Sequence, residues 1–367
     1  MAKVTGLEGV VAAETDIGLV DGERGRLVYR GYSARELAVR HGFEEAAHLL
    51  WYGSLPDPGQ LQAFRAKLAA ARTLTPRLRR LLDAIPERTP LMNVLEAAVA
   101  ATAGEDAAWP PTAEQAIRLT GLIPVVIAYR HHQTNGTSWP EDAREPDHAA
   151  HYLHLLFGRP PQPAHVRALN AYMVLAMEHG LNASTFAARV VASTESDLHS
   201  AVAAAIGAMK GPLHGGAPAG VVRQLEEIGS GERAEAALRA MLERGERLMG
   251  FGHRIYKTLD PRAEALRAVA AELAGDDPWL DLARHVEQVA VRLLAEYKPG
   301  RRLHTNVEFY AAAVMRAVRM PAELFTPTFT AARVAGWTAH VLEQAGHNRI
   351  FRPQSVYTGP QPANEED

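Results

Sequence analysis

An all-α protein is expected here, on three observations. Apolar residues recur at helical spacing in one segment after another between residues 34 and 344, and glycine or proline closes most of those segments. Strand signals are confined to one short stretch near the N-terminus. The 367 residues, 47% of them hydrophobic, suffice for one large core and a smaller second domain. No repeat of solenoid period is present, so the helices should pack about shared cores instead of stacking in a superhelix.

Taken in order, residues 15–20 and 26–29 are two β-prone runs bracketing Asp21-Gly22-Glu23-Arg24-Gly25, a glycine-punctuated turn, and this is the one hairpin expected. Ser33-Ala34-Arg35-Glu36 reads as a capping box that starts a short helix, with Gly42 as its stop. Helices are predicted over 43–52, 59–74, 76–85 and 91–103, punctuated by Pro56, Pro58, Pro76, Pro86 and Pro90. Residues 112–132 are apolar around much of the helical circumference, which predicts a buried helix kinked at Pro124. Residues 133–145, with Asn135-Gly136 and Trp139-Pro140, read as a surface connection. Further helices are predicted over 147–157, 164–178, 183–193, 197–209, 219–228, 233–242, 261–273, 278–297, 307–318 and 328–344. A proline-rich extended tail follows over 348–367.

Composition narrows the function. A net charge of -3 argues against broad nucleic-acid affinity, because a phosphate binder carries a basic excess. With no cysteine, disulfides and thiolate chemistry are excluded, which fits a reducing cytoplasm. The N-terminus lacks the apolar core of a signal peptide, and the near-apolar run 119–129 is too short to span a bilayer. A cytoplasmic protein is expected, without nucleic-acid or membrane partners.

The stretch from Arg247 to Arg262 carries the densest chemistry. Gly250 and Gly252 flank Phe251 and lead into His253, so an exposed loop able to lie close to a ligand is expected. Arg254, Lys257 and Arg262 follow, and Asp260-Pro261 suits the opening of a helix, so the loop fits an anionic ligand. Taken alone, His253 also reads as a solvated loop histidine. His179, in Glu178-His179-Gly180-Leu181-Asn182, sits at a helix end and could be either a C-terminal capping partner or a ligand. His214 lies between Gly-Pro and Gly-Gly, a bare turn or a presented imidazole. Glu308 follows Asn306, and Asn306 or Thr305 could simply cap a helix with Glu308 in its first turn. Arg333 stands in a small, apolar helical stretch, where a guanidinium needs an anionic partner. Arg352 stands in Phe351-Arg352-Pro353.

The Gly-Phe-Gly-His run with its following cations and Asp-Pro-Arg resembles the signature of the citrate synthase family. So does Gly211-Pro212-Leu213-His214-Gly215, and the resemblance extends from Gly6-Leu7-Glu8-Gly9-Val10 through His179 to Arg333 and Arg352. It is closest in kind to the short bacterial and archaeal branch. The resemblance implies an all-α homodimer whose large domain, 1–215 and 321–367, is interrupted by a small domain, 216–320, with the site in the cleft between them.

It implies condensation of acetyl-CoA with oxaloacetate and hydrolysis to citrate and CoA, with no permanently bound cofactor and no metal. By motif position Glu308 is the base, His214 the donor to the thioester oxygen and His253 the donor to the oxaloacetate carbonyl. His179, Arg262 and Arg333 would hold oxaloacetate, with Arg352 reaching in from the partner subunit. CoA would lie against Met249, Gly250, Phe251 and Gly252, with Arg254 and Lys257 near its phosphates. The sequence departs from the family in one catalytic residue: Glu308 stands where the family has aspartate. Two alternatives follow: a 2-methylcitrate synthase using propionyl-CoA, and a non-catalytic relative that binds CoA or a dicarboxylate. A zinc site is disfavoured, since the histidines lack ligand spacing on one helix and cysteine is absent.

Overall fold

Near the N-terminus three short strands form an antiparallel sheet in the order β1 (Gly18–Asp21), β2 (Arg26–Tyr29), β3 (Tyr32–Ser33), with Gly18 opposite Tyr29 and Val28 opposite Ser33. The computed structural model describes residues 5–7, 9–104, 107–215, 217–253, 255–274 and 278–360. The expected hairpin is there, but it is not the only one. Arg30 and Gly31 both take positive φ, 47° and 88°, and turn the chain back into β3. No Asn-Gly or Asp-Gly pair marks that turn in the sequence.

Sixteen α-helices follow among the described residues, so the all-α expectation holds. The first is α1 (Ala34–Arg40), and the capping box foreseen at Ser33 does not form: its side chain makes no cap bond, because Ser33 is engaged in β3. Half of such a box lies one helix later. Gly42 is not a stop but the start of α2 (Phe43–Tyr52), and its N–H donates to the Glu45 carboxylate at 2.7 Å. Next come α3 (Pro58–Ala71), α4 (Pro76–Ala84), α5 (Leu91–Ala101) and α6 (Ala113–Asn135). The last runs as one buried helix through Pro124 and stops at Gly136, φ 61°.

After the surface connection come α7 (His148–Phe157) and α8 (Pro163–Ala176), then α9 (Ala183–Ser193) and α10 (Leu198–Met209). α8 ends two residues before the sequence suggested. The Tyr29 hydroxyl sits within 3.0–3.2 Å of the Val174, Leu175 and Glu178 carbonyls, so a strand residue ties off the helix end and sets where His179 emerges. α9 and α10 start on the side-chain caps of Asn182 and Asp197. A second group, α11 (Ala217–Ile228), α12 (Gly231–Glu243), α13 (Pro261–Ala274), α14 (Pro278–Tyr297) and α15 (Val307–Ala317), packs largely on itself, with α13 and α15 also touching α8. The chain returns in α16 (Phe325–Gly346), which lies against α2, α6, α8, α9 and α10 and buries Trp337 fully. Among the described residues no helix is long and apolar enough to cross a membrane.

Candidate active site

Residues 250–252 and 304–306 run antiparallel. Asn306 N–H donates to the Gly250 carbonyl at 2.9 Å, Gly252 N–H to the His304 carbonyl at 2.7 Å, and Asn306 Nδ2 to the Gly252 carbonyl at 2.8 Å. Asn306 also accepts from Glu308 N–H at 3.0 Å and so caps α15. One asparagine therefore holds the loop before His253 against the helix turn that carries Glu308. The exposed loop expected here is a correction: Phe251 is buried, its ring 5.3 Å from that of Phe309. Gly250, at φ 85°, is required because a Cβ there would lie 2.8 Å from Phe309. The apolar ring between two glycines is a packing anchor, and solvent exposure was the wrong inference from it.

His253 accepts from the N–H groups of Ile255 and Tyr256 at 3.0 and 3.1 Å through Nδ1, which places the ring proton on Nε2. That Nε2 faces Arg262 Nη2 at 3.3 Å. Two donors so placed converge on a position that suits an acceptor oxygen. Arg262 is itself gripped by Asp260, Nε to Oδ1 at 3.0 Å and Nη2 to Oδ2 at 2.9 Å, and Asp260 Oδ2 also accepts from Val307 N–H at 3.0 Å. Its guanidinium lies 5.6 Å from the centre of the Tyr256 ring. The Tyr256 hydroxyl is 3.1 Å from His179 Nε2, and the His179 ring stands edge-on to His253 at 5.5 Å. His179 thus packs with Tyr256 and His253 in this cluster.

His214 approaches from the turn after α10. Its Nε2 lies 2.7 Å from the Ser184 hydroxyl, which also receives the Trp337 indole N–H at 3.0 Å and lies 2.8 Å from Asn182 Oδ1. With Nε2 occupied by Ser184, Nδ1 is the nitrogen left to act on a ligand. Arg333, 1% exposed, crosses the Phe329 ring at 4.7 Å, and its Nε donates to the Ala176 carbonyl. Phe329 in turn stands 6.2 Å from the His214 ring. Arg333 and His214 are thereby joined through one aromatic.

Electrostatics follow from this clustering of cations in a buried place. Burial, then Arg262, push His253 down to about 4; burial, then Arg333, do the same to His214. His179 is driven well below the ordinary histidine value by burial and by Arg262 and Arg333. All three imidazoles are neutral near pH 7. Glu308 moves the other way: burial raises its pKa, partly opposed by Arg262, Arg247 and Asn306. A carboxylate so raised is a better proton acceptor than one in water.

Other expected residues lie elsewhere. Arg352 is exposed on the tail beyond α16, and its Nη1 donates to the Pro353 carbonyl. It does not join the cluster within its own chain. The Lys257 side chain is exposed, while its N–H donates to the Gly22 carbonyl at 2.9 Å. Arg254 lies outside the described residues. Met249 N–H donates to Gln224, so much of the polar backbone of 249–252 is already engaged within the chain. Sequence reasoning passed over Tyr256, Ser184 and Trp337 as site residues, and read Asp260 only as a cap; a buried Tyr or Trp has no local signal that separates core from site. No group of three or more potential metal ligands occurs among the described residues.

Residues 6–354 match the family model described as "Citrate synthase, C-terminal domain". A citrate synthase of Mycolicibacterium smegmatis is 38% identical over 362 residues, covering 96% of this chain and 94% of that protein. A 2-methylcitrate synthase of Shewanella oneidensis is 37% identical over 363 residues, covering 97% and 95%. The structure superposes, with a TM-score of 0.88 and 28% identity over 99% of this chain and 97% of the other, on a citrate synthase of Thermoplasma acidophilum solved as a ternary complex with carboxymethyl coenzyme A and oxaloacetate.

Proposed function

The chain belongs to the citrate synthase family and is an acyltransferase of that kind, and we propose that it condenses acetyl-CoA with oxaloacetate and releases citrate and CoA. The observation that carries this reading is the pair of donors, His253 Nε2–H and an Arg262 N–H, side by side near the half-buried Glu308 carboxylate on α15, whose pKa Arg262 lowers. Oxaloacetate presents what that pair accepts: a ketone oxygen next to a carboxylate. The ternary complex of the Thermoplasma relative, with oxaloacetate and a CoA analogue in its title, supports the substrate class.

In this reading Glu308 takes a proton from the thioester methyl group, and the Ser184 hydroxyl turns from Asn182 to donate to His214 Nε2, which leaves Nδ1–H to donate to the enolate oxygen. The resulting carbon attacks the ketone of oxaloacetate, His253 shares its Nε2–H with the new alkoxide, and the proton taken by Glu308 is returned to give the hydroxyl. Water then cleaves the thioester, releasing CoA. A neutral histidine is the right donor at each place, since its proton is shared as charge develops and no imidazolium must be stabilised beside Arg262 or Arg333. His179, Arg262 and Arg333 hold the dicarboxylate, and Arg352 completes the site from the partner subunit of a homodimer. CoA lies against residues 249–252, with Arg254 and Lys257 toward its phosphates. Residues 216–320 act as the smaller domain, which closes to exclude water until the carbon–carbon bond has formed. No metal takes part, and the cytoplasm is the compartment that suits a chain without cysteine.

A second reading keeps the chemistry and changes the acyl group. Relatives named for citrate and for 2-methylcitrate are equally similar to this chain, and one methylene in an apolar pocket is worth only ~1–3 kcal/mol. The test is initial CoA release, followed with a thiol reagent, with oxaloacetate and either acetyl-CoA or propionyl-CoA. Oxaloacetate-dependent release that is faster with acetyl-CoA is expected. Faster release with propionyl-CoA selects 2-methylcitrate, and release with neither leaves a binding-only relative.

A further inference from the structure

Two buried arginines serve the substrate in the reading above, and they are balanced differently. Arg262 holds its own carboxylate, Asp260, in direct contact. Arg333 has no carboxylate within 4 Å among the described residues, and only its Nε is bonded to protein, which leaves both terminal nitrogens for a ligand. A lone guanidinium at 1% exposure is costly unless a countercharge stands close by.

The carboxylate that acts on Arg333 most strongly is Glu178, fully buried in the turn between α8 and α9, next to His179. α16 brings the pieces together along one stripe: Arg333, then Gly336, then His340 one and two turns on. A Cβ at Gly336 would lie 2.1 Å from the Met177 carbonyl and 2.9 Å from Glu178 Oε2, so glycine lets the helix reach the turn. His340 Nε2 meets Glu178 Oε2 at 3.1 Å, and Gly180 N–H donates to Oε1. His340 Nδ1 accepts from Arg189 Nη1 at 2.7 Å, which puts the ring proton on Nε2, toward Glu178. Arg189 continues to Glu343 at 2.7 Å and Gln344 at 3.0 Å. The chain Glu178–His340–Arg189–Glu343 is thus continuous from beside the site to the half-buried end of α16.

We propose that Glu178, fixed by His340 and Arg189, is the positioning residue for Arg333: it supplies the countercharge that steadies the guanidinium and keeps it aimed while the site is empty. It touches no substrate. The electrostatics agree with the geometry. Burial lowers Arg333 to about 10, Glu178 is the first influence holding it up, Tyr29 and Tyr172 assist, and Arg262 opposes. Burial alone would raise Glu178, but His340, Arg333 and the Gly180 N–H offset this and keep it ionised.

The inference rests on Arg333 being a substrate arginine, so its test reads oxaloacetate binding and turnover separately. Calorimetric binding of oxaloacetate, with KM and kcat from thiol release, is compared at pH 7 in the full-length wild type, Glu178→Gln, His340→Leu and His340→Gln. Glu178→Gln is expected to weaken oxaloacetate binding about tenfold and change saturated kcat less than about threefold. His340→Leu leaves Glu178 without its donor and should reproduce that pattern. His340→Gln can both donate to Glu178 and accept from Arg189, and should remain within about twofold of wild type. If Glu178→Gln does not fold, the contrast between the two His340 variants carries the same test. Folded Glu178→Gln or His340→Leu protein with unchanged oxaloacetate affinity, or a loss in kcat alone, overturns the inference. A wild type that neither binds oxaloacetate nor releases CoA overturns the functional reading instead.

Discussion

In its proposed role as base, Glu308 has a reach one methylene longer than the family's aspartate, and a displacement of ~1 Å can cost on the order of a hundredfold in a positioned reaction. The structure answers part of that demand, since Asn306 caps α15 while bonded to Gly252 and so holds the backbone of Glu308 beside the His253 loop. Glu308→Gln is expected to lose ~10²–10⁴-fold in kcat, the usual contribution of a general base, while Glu308→Asp keeps measurable turnover. Steady-state rates decide this, and a Gln variant with wild-type turnover removes Glu308 as the base. The pH profile carries a sign. Turnover needs Glu308 ionised, its pKa is raised, and His214 and His253 stay neutral down to about 4. The acid limb of kcat should therefore lie above the ordinary carboxylate value of about 4.3 and report Glu308. A kcat that stays flat down to about pH 4.5 contradicts this assignment. At this scale residue type and spacing were legible in the sequence. Which ring nitrogen carries the proton was not, because that depends on Ile255, Tyr256 and Ser184 meeting the imidazoles in space.

At the scale of elements, the N-terminal turn matters more than its sequence suggested. Gly22 accepts from Lys257 N–H, and a Cβ on it would lie 2.2 Å from the Ile255 carbonyl; one on Gly25 would lie 2.8 Å from that of Leu259. The hairpin turn thus clasps the segment whose amides orient His253. Gly22→Ala is predicted to destabilise by ~1–3 kcal/mol, as overpacking does, and to raise KM for oxaloacetate by displacing residues 255–257. Urea unfolding and substrate titration check both effects, and unchanged kinetics in a destabilised variant would reduce the clasp to a stability contact. Gly336→Ala should cost at least as much, because its Cβ would meet main chain at Met177, which cannot swing away. The capping boxes teach a related lesson. The motif at Ser33 was legible, yet β3 claimed that residue, whereas Thr112 and Gln115 formed the same motif unopposed.

At the scale of the molecule, Arg352 is exposed and apart from its own chain's cluster, as a residue serving a partner should be. Arg352→Gln and His214→Gln should each be nearly inactive alone. Co-expressed, in the proposed homodimer, they give mixed dimers in which one of the two sites has both residues intact, so random pairing returns about a quarter of wild-type sites. Activity assays of the tagged, purified mixture test this. Absence of recovery would place Arg352 outside the partner's site.

The helical class, most helix positions, and the identity and order of His179, His214, His253, Arg262, Glu308 and Arg333 were determined by the sequence alone. Periodicity, breakers and motif spacing are local properties of a chain, and they survive without knowledge of the fold. Tertiary structure alone decided the rest. It buried Phe251 where two glycines suggested an exposed loop, tied off α8 with Tyr29, and joined Glu178 to His340 across 162 positions of sequence. Such pairings have no local signature, because burial and countercharge are set by what packs opposite a residue, and that neighbour is chosen only when distant segments meet.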